Sequence, residues 1–297
     1  MVLGICLGFW IWCLVIPIDP SAIVIPKWLV WIIGLSFGSC IGSFLNVCIY
    51  RMPREHSVVH PPSHCTRCQQ AIAWYDNIPF VSFLLLRARC RRCHEPISWR
   101  YPIVEFVTGL AAVAVFARFG LTGVGVVYFA FVASLIVASF IDLEFQIIPD
   151  EISLGGLVLG LVLSLALPAL HGTDSRWLAL GRSVIGLLVG GGLLYSTGLL
   201  GDFVFKKESM GGGDIKLLAM AGSLLGWKLV TLTFFLAPLL ALLPGLIVLL
   251  TKRSHVIPYG PFLSLGLIVS LFAGNELLRA TGIEETVQLL WQYYGWH

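Results

Sequence analysis

Long apolar stretches dominate this sequence and decide what it can fold into. A helix needs about 20 apolar residues to cross a bilayer. Only 12% of the 297 residues are charged, about half the share that soluble domains carry. The sequence therefore predicts an all-α polytopic membrane protein and excludes a soluble globular domain. Eight candidate transmembrane helices lie at 28–50, 103–119, 123–142, 152–170, 181–200, 214–227, 228–250 and 259–278.

The segment before residue 28 has two interpretations. Residues 2–18 are apolar but include Pro17, and they lack the basic flank and small-residue cleavage site of a secretory signal peptide. One interpretation is an additional span, which would raise the count to nine. The other is a start codon placed too far upstream.

The one long polar insertion, 51–102, contains eight arginines. Basic residues concentrate in cytoplasmic loops, so this insertion is predicted to face the cytoplasm. Threading the spans from there places 143–151, 201–213 and 251–258 on the same side. The predicted organisation is an N-terminal segment 1–27, a first core span 28–50, a cytoplasmic domain 51–102, a helical membrane core 103–278 and a C-terminal tail 279–297.

Two aspartates lie at the inner ends of predicted spans, Asp142 at the end of the third and Asp214 at the start of the sixth. Ionisable groups at membrane depth are functional candidates, and two facing carboxyl groups can share one proton. The ionised group then deprotonates a water while the protonated one polarises a peptide carbonyl, as in aspartic proteases. The structural alternatives are an N-cap role for Asp214 and, for Asp142, a simple boundary between span and water.

The surroundings of Asp214 add two expectations. Gly211, Gly212 and Gly213 precede it, and glycine lets another chain approach the backbone closely. We therefore expect these glycines to give a substrate backbone room beside the carboxyl group of Asp214. The helix dipole favours an anion at a helix N-terminus and disfavours one at the C-terminus. This predicts that Asp214 is the base and that Asp142 holds the shared proton.

Four cysteines in the polar insertion form two C-x2-C pairs separated by 21 residues: Cys65, Cys68, Cys90 and Cys93. Paired thiolates at such a spacing are typical of a closed, structural tetrahedral zinc site. A cytoplasmic location disfavours disulfides between them. We expect the neighbouring arginines to lower the thiol pKa values. Thiol redox chemistry is the alternative.

Five segments carry a family resemblance. They are GSFLNVCIYRMP at 42–53, NIPFVSFLLLRARCRRCHEPISWRYPIVE at 77–105, IDLEFQIIPD at 141–150, SMGGGDIKLLAMAGSLLGW at 209–227 and IPYGPFLSLG at 257–266. In this order, over about 36–270, the chain resembles the bacterial type IV prepilin peptidases of the GxGD aspartic protease class. Two departures are an extra glycine, Gly212, and a longer apolar segment before residue 28.

This resemblance implies an endopeptidase that cuts the basic leader of prepilins and pseudopilins after a glycine at the cytoplasmic face of the inner membrane. It also implies N-methylation of the new N-terminus with S-adenosylmethionine as donor. Asp142 and Asp214 would be catalytic, Gly211 and Gly213 would be the GxGD glycines, and the four cysteines would bind zinc. The expected partners are the bilayer and pilin-like substrates, with no nucleic acid.

Two other classes compete with this interpretation. Presenilin-like intramembrane proteases usually carry their first aspartate in a Tyr-Asp pair, whereas Ile141 precedes Asp142 here. A proton-coupled transporter would need polar residues along several spans at mid-depth. No glycine-rich nucleotide fingerprint is present, so the residues that bind the methyl donor stay unassigned.

Overall fold

The computed structural model describes residues 27–206, 210–252 and 258–280. The N-terminal span considered for 2–18, and the tail beyond Ala280, lie outside the described residues. The chain divides into two compact units, the first ending at Val137 and the second beginning at Ala138.

The described residues are helical, with no β-structure among them beyond two isolated bridges. All eight predicted spans correspond to helices, and one short helix lies in the polar insertion. The helices are α1 (Lys27–Arg51), α2 (Val81–Leu85), α3 (Arg100–Phe119), α4 (Gly123–Phe145), α5 (Asp150–Ala166), α6 (Arg176–Phe205), α7 (Gly212–Leu225), α8 (Trp227–Lys252) and α9 (Gly260–Ala280).

Six helices in the described ranges are long and apolar enough to cross a membrane: α1, α3, α4, α6, α8 and α9. Helix α5 has 17 residues and α7 has 14. At 1.5 Å per residue α7 rises only about 21 Å, short of the roughly 30 Å hydrocarbon core. By length and composition, the described part of the chain therefore contains six candidate spans.

The fifth predicted span, 181–200, is longer at both ends in the structure, because α6 runs over 30 residues. The Ser175 side chain accepts a hydrogen bond from the Leu178 amide at 3.4 Å and caps the helix. Such a cap satisfies one of the unpaired amides of the first turn. Hydropathy alone does not register this start signal.

In the first unit, α1 packs closely along α3 through small residues. Gly34, Gly38 and Gly42 recur every fourth position and form one face of α1. A Cβ on Gly42 would lie 2.7 Å from the Glu105 Cα, and one on Gly38 would lie 2.6 Å from the Ala112 Cβ. Small residues at every fourth position let membrane helices approach at backbone distance, so this face fixes the α1–α3 pair.

The polar insertion is held to the ends of these helices by buried charged residues. Arg51, at the end of α1, is 5% exposed and donates hydrogen bonds to the carbonyl oxygens of Ser57 and Pro61, at 2.9 and 2.8 Å. Glu105 is also buried, and its Oε2 accepts a hydrogen bond from the Phe80 amide at 3.2 Å. Both buried charges are therefore used for loop attachment.

In the second unit, α7 is the central helix. Its residues from Leu217 to Leu225 are all buried, and it contacts α5, α6 and α8. Ser183 donates to the Ser223 carbonyl at 2.6 Å, which links α6 to α7. Gly156 faces Met220, whose Cγ would lie 2.9 Å from an added Cβ. A 14-residue helix enclosed in this way places its first turn, with Asp214, firmly within the unit.

Candidate functional site

Asp142 lies in the last turn of α4 with its carboxyl group buried and oriented. The residue is 7% exposed, and its Oδ2 accepts a hydrogen bond from the Gly260 amide at 2.9 Å. Gly260 begins α9, so this bond joins residues 118 positions apart. The helix does not end at Asp142 but continues to Phe145. Asp142 is therefore a buried, positioned acid and not a marker of the span's end.

Asp214 is the third residue of α7 and interacts electrostatically with Asp142. The cap of α7 is Gly211, and no side chain caps the helix. The N-cap alternative for Asp214 is therefore wrong. Topology had predicted that the carboxyl groups of Asp142 and Asp214 would meet, and the structure brings them within electrostatic reach of one another.

Tyr259 completes this group. It precedes Gly260, and its hydroxyl interacts electrostatically with Asp214. Its phenol can donate or accept a hydrogen bond beside Asp214.

The three glycines before Asp214 have different surroundings. A Cβ on Gly213 would lie 3.0 Å from the Ile148 Cβ, whereas one on Gly212 would meet nothing within 4 Å. Gly211 is exposed, and a Cβ there would lie 3.2 Å from Asp214 Oδ2. Gly213 thus lets the chain after α4 pack against α7. Gly211 is the glycine that leaves space directly beside the carboxyl group.

Two further features of this site were not predicted. The Gly260 amide escaped notice because a backbone donor has no residue-type signature; the only signal was its place in the IPYGPFLSLG segment. The second is an ion pair between Lys216 Nζ and Asp150 Oδ1 at 2.7 Å. It joins the first turn of α5 to the second turn of α7, and both side chains are partly exposed. Charge alternation along the sequence does not reveal a partner 66 positions away.

The four predicted cysteines come together in the first unit. The sulfur atoms of Cys65, Cys68, Cys90 and Cys93 all lie within 4.8 Å of one another, and those of Cys65 and Cys93 are 3.8 Å apart. Zinc bonded tetrahedrally to sulfur at about 2.3 Å requires sulfur–sulfur distances of about 3.8 Å. The donor set and its spacing therefore fit a tetrahedral thiolate site.

The two cysteine pairs lie on two copies of one backbone turn. The Cys65 amide donates to the Gln70 carbonyl and the Cys90 amide to the Glu95 carbonyl, each at 2.9 Å. Gln69 and His94, the residues that follow the second cysteine of each pair, both have a φ of 57°. This repeated turn presents two sulfur atoms from each copy.

The pKa of one cysteine is lowered as expected, but the cause is not the neighbouring arginines. The pKa of Cys90 is lowered to about 7, chiefly because the backbone amides of Cys93 and Arg92 donate hydrogen bonds to its sulfur. The arginine side chains do not produce this shift. Arg91 is instead engaged with Asp76, to which its Nε and Nη2 donate at 2.8 and 2.6 Å. The turn itself therefore prepares the thiolate.

Fold and sites together define a multi-pass membrane protein with a buried acid pair and a four-cysteine cluster. Residues 36–119 match the model of the bacterial peptidase A24 N-terminal domain, and residues 129–246 match that of the type IV leader peptidase family. A Pseudomonas putida protein named prepilin leader peptidase/N-methyltransferase is 34% identical over 81% of this chain and 89% of its own length. The chain belongs to the type IV leader peptidase family.

Two other relatives extend the comparison. A Myxococcus xanthus protein with the same name is 40% identical over 72% of this chain, a match that spans 61% of the relative. An Escherichia coli protein named type 4 prepilin-like proteins leader peptide-processing enzyme is 37% identical over 79% of this chain and 91% of its own length. No solved structure matches the chain.

Proposed function

We propose that this chain is a membrane aspartic endopeptidase that removes the basic leader of type IV prepilins and pseudopilins after a glycine. One observation carries the proposal: a buried Asp142, oriented by the Gly260 amide, in electrostatic contact with Asp214. Family membership supplies the substrate class, since the relatives are named for prepilin leader processing. The acid pair supplies the reaction class.

The hydrogen bonds favour roles of base and proton holder for the two aspartates that are the reverse of those expected from the helix dipoles. An amide that donates to a carboxylate stabilises its ionised form, and Asp142 accepts such a bond from Gly260. Among the described residues no hydrogen bond reaches the Asp214 carboxyl group. Asp142 is therefore the base and Asp214 holds the shared proton, with the protonation state belonging to the pair.

The reaction follows from these roles. Asp142 takes a proton from a water whose oxygen attacks the scissile carbonyl carbon, while the Asp214 proton is donated toward the carbonyl oxygen. The tetrahedral intermediate then collapses: the carbon–nitrogen bond breaks, the proton held by Asp142 passes to the leaving amine, and one hydroxyl proton of the intermediate returns to Asp214 as the new carboxyl group forms. Gly211, exposed beside Asp214, gives the substrate backbone room to reach the pair.

Acidic residues near the pair would attract the basic leader. The sequence offers Glu144, Asp150, Glu151, Asp202 and Glu208, the last of which lies outside the described residues. Asp150 forms an ion pair with Lys216, so its negative charge attracts a basic leader less strongly. Glu144 and Glu151 are exposed and are the best candidates. Neutralising both should weaken binding of a leader-bearing peptide more than binding of a leaderless one.

For the four cysteines we propose a structural zinc ion. Cys65, Cys68, Cys90 and Cys93 would hold it, and all four positions of the tetrahedron would be filled, leaving no place for a catalytic water. Its contribution is to fold the 51–102 domain around a small core. Metal analysis of the purified chain should give about one zinc per molecule, and a value near zero would contradict this assignment.

The proposed placement is the bacterial inner membrane with eight spans, α5 and α7 being the two short ones. The ninth, within 1–27, stays a prediction. The arginine-rich 51–102 domain would face the cytoplasm, and the acid pair would face the same side. We propose the same domain limits that the sequence predicts, with the helical membrane core at 103–278.

N-methylation with S-adenosylmethionine as donor is proposed from the relatives' names alone.

The decisive experiment is cleavage of a purified prepilin by the chain in proteoliposomes. Asp142→Asn and Asp214→Asn should each abolish leader removal. Asp174→Asn is the control, because this exposed aspartate lies in the loop before α6 and has no part in the acid pair or in leader attraction, so it should leave cleavage intact. Mass spectrometry reports the lost leader and an added methyl group separately. Cleavage by either acid-pair variant at the control rate would overturn the proposal.

A further inference from the structure

The polar insertion contains one strongly apolar stretch, Ile78–Leu86, here called the 78–86 segment. It includes helix α2 and reads IPFVSFLLL. Leu84 and Leu85 are 73% and 77% exposed. Large apolar side chains that form a contiguous exposed patch mark an interaction surface. The cysteine turns and the acid pair make no use of this patch.

Three contacts hold the 78–86 segment against the first two turns of α3. The Phe80 amide donates to Glu105 Oε2 at 3.2 Å. The Phe80 ring packs edge-on against Phe106, with ring centroids 6.1 Å apart, and the Phe83 ring packs against Trp99 at 5.0 Å. Because α3 is one of the spanning helices and begins at Arg100, the segment is fixed at the depth where a span enters the bilayer.

The backbone of the segment is prepared for an environment with little water. Ser82 is buried; its hydroxyl accepts a hydrogen bond from the Ile78 amide at 3.1 Å and donates one to the Tyr75 carbonyl at 2.8 Å. The amides of Leu84 and Leu86 donate to the carbonyl oxygens of Phe80 and Ser82 at 3.0 and 2.9 Å. Backbone groups in contact with hydrocarbon must find partners inside the protein.

The apolar patch is continuous with the lipid-facing side of α3. Trp99 is 67% exposed and stands at the helix start, where tryptophan typically marks the membrane interface. Ile103, Phe106 and Leu110 follow on the exposed side of α3. A surface that begins at Leu84 and Leu85 and runs through Trp99 onto a spanning helix is the one that a bilayer would cover.

Charge supports the same partner. Arg87, Arg89 and Arg92 follow the leucines and are exposed. An apolar face next to a basic one is the pattern of segments that lie in the membrane interface and attract anionic lipids. Along the sequence, the apolar side chains of the 78–86 segment are thus followed at once by arginines that can bind lipid phosphates.

We propose that the 78–86 segment lies in the boundary between headgroups and acyl chains of the bilayer, with Leu84 and Leu85 inserted and the following arginines on anionic phosphates. This placement would fix the four-cysteine domain to the membrane surface. It depends on α3 crossing the bilayer and not on the peptidase reaction, so loss of one proposal leaves the other intact.

The test measures the depth of single positions in the full chain. A fluorescent amino acid replaces Leu84 or Leu85 in nanodiscs of phosphatidylcholine and phosphatidylglycerol with brominated acyl chains. Leu110, on the exposed side of α3, is the lipid control, and Gln70, exposed on the first cysteine turn, is the aqueous control. An unchanged circular dichroism spectrum and gel-filtration profile verify that each labelled chain is folded.

We expect bromolipid quenching at 84 and 85 at least twice that at 70 and close to that at 110. Quenching at 84 and 85 equal to that at 70 would overturn the proposal. Nanodiscs holding one chain exclude a second copy as the covering partner; protection that appears only with two chains per disc would also overturn it. Without phosphatidylglycerol, quenching at 84 should fall, and no change would refute the arginine contacts.

A second measurement does not need a label. Leu84→Asp combined with Leu85→Asp should speed hydrogen exchange of the 78–86 amides at least tenfold in nanodiscs, because the charged segment leaves the interface. Val59→Asp is the matched control, since Val59 is 72% exposed in the same polar insertion, and it should leave these amides unchanged. Equal exchange in the leucine variant and the unmodified chain would contradict the insertion.

Discussion

The four-cysteine cluster and the acid pair are assembled in different ways. Each cysteine pair lies on one local turn, and equivalent residues of the two turns are only 25 positions apart in the sequence. The acid pair instead draws on three helices, with Asp142 from α4, Asp214 from α7 and the Gly260 amide from α9. A local site can be recognised from spacing, whereas a distributed site depends on topology and on how tightly the helices pack.

The largest expected effect tests whether the distributed site acts as a unit. Asp142→Asn and Asp214→Asn should each lower prepilin cleavage by about 10³-fold or more, and the double variant should be no worse than either single one. Residues that share one proton and one water lose their function together. Rates measured with all three variants decide this, and multiplicative losses would show two independent groups.

The zinc content of these acid variants should stay at the level of the unmodified chain. The cysteines belong to the unit that ends at Val137 and the acid pair to the one that begins at Ala138. Parallel loss of metal and activity would mean that the two sites share their folding, and the contrast drawn above would fail.

The second prediction concerns the packing on which the distributed site depends. Gly260→Ala would place a Cβ 2.7 Å from Asp142 Oδ2, closer than such atoms approach. The carboxyl group must move, and displacements of about 1 Å at a catalytic group can cost about 100-fold in rate. Cleavage kinetics should therefore show a 10- to 100-fold loss of kcat. Gly155→Ala is the control, since nothing lies within 4 Å of its Cβ; equal rates for both variants would contradict the role of Gly260.

The third prediction addresses the local site. Cys90→Ser should let a mild chelator remove zinc that the unmodified chain keeps at about one per molecule, because three thiolates leave one tetrahedral position open to water. Prepilin cleavage should fall less than in Gly260→Ala, since no cysteine lies in the unit that carries the acid pair. Zinc content and cleavage are measured on the same preparation. A loss of cleavage as large as that of the aspartate variants would show that the acid pair depends on the four-cysteine cluster.

The sequence predicted that the four cysteines come together, and it predicted the acid pair in part. The C-x2-C spacing gave all four cysteines, because a short turn brings the sulfur atoms together whatever the rest of the chain does. Topology placed Asp142 and Asp214 at one edge, because alternating spans return to the same side. Neither pattern contains information on which backbone amide faces Asp142, and so the Gly260 contact, on which the proposed roles of the two acids depend, was missed.

The fold shows the same limit. Apolar runs located all eight helices, since burial in lipid requires continuous hydrophobicity. They did not distinguish α7, which is enclosed by other helices and has only 14 residues, from helices long enough to span. Hydropathy responds to the absence of water and cannot tell lipid from protein as the neighbour. The buried Glu105 was missed for a related reason, because its partner is a backbone amide of the polar insertion.

The fourth prediction uses pH to separate the two sites. The pKa of Cys90 in the metal-free chain is lowered to about 7 from an ordinary 9.0. A lowered pKa favours the thiolate form of Cys90. The stability that the folded chain gains from this ionisation is complete above pH 9 and is lost as the pH falls through 7. In the metal-free chain the rate at which an alkylating reagent modifies Cys90 should therefore fall steeply from pH 7.5 to pH 6, because only the thiolate reacts. A rate that is flat over this range would contradict the lowered pKa of Cys90.

The smallest effect belongs to the ion pair between Lys216 and Asp150, which joins α5 to α7 at the distributed site. Both side chains are substantially exposed, at 40% and 58%, and exposed pairs contribute no more than about 1 kcal/mol. Lys216→Met should therefore lower the free energy of unfolding by less than about 1 kcal/mol and leave the order of variants above unchanged. The cycle with Asp150→Asn isolates the pair, because the double variant loses nothing further if the two groups act only on each other. A loss of cleavage comparable to that of Gly260→Ala would show that this pair aligns the helices that hold the acids, and the distributed site would then extend to its exposed edge.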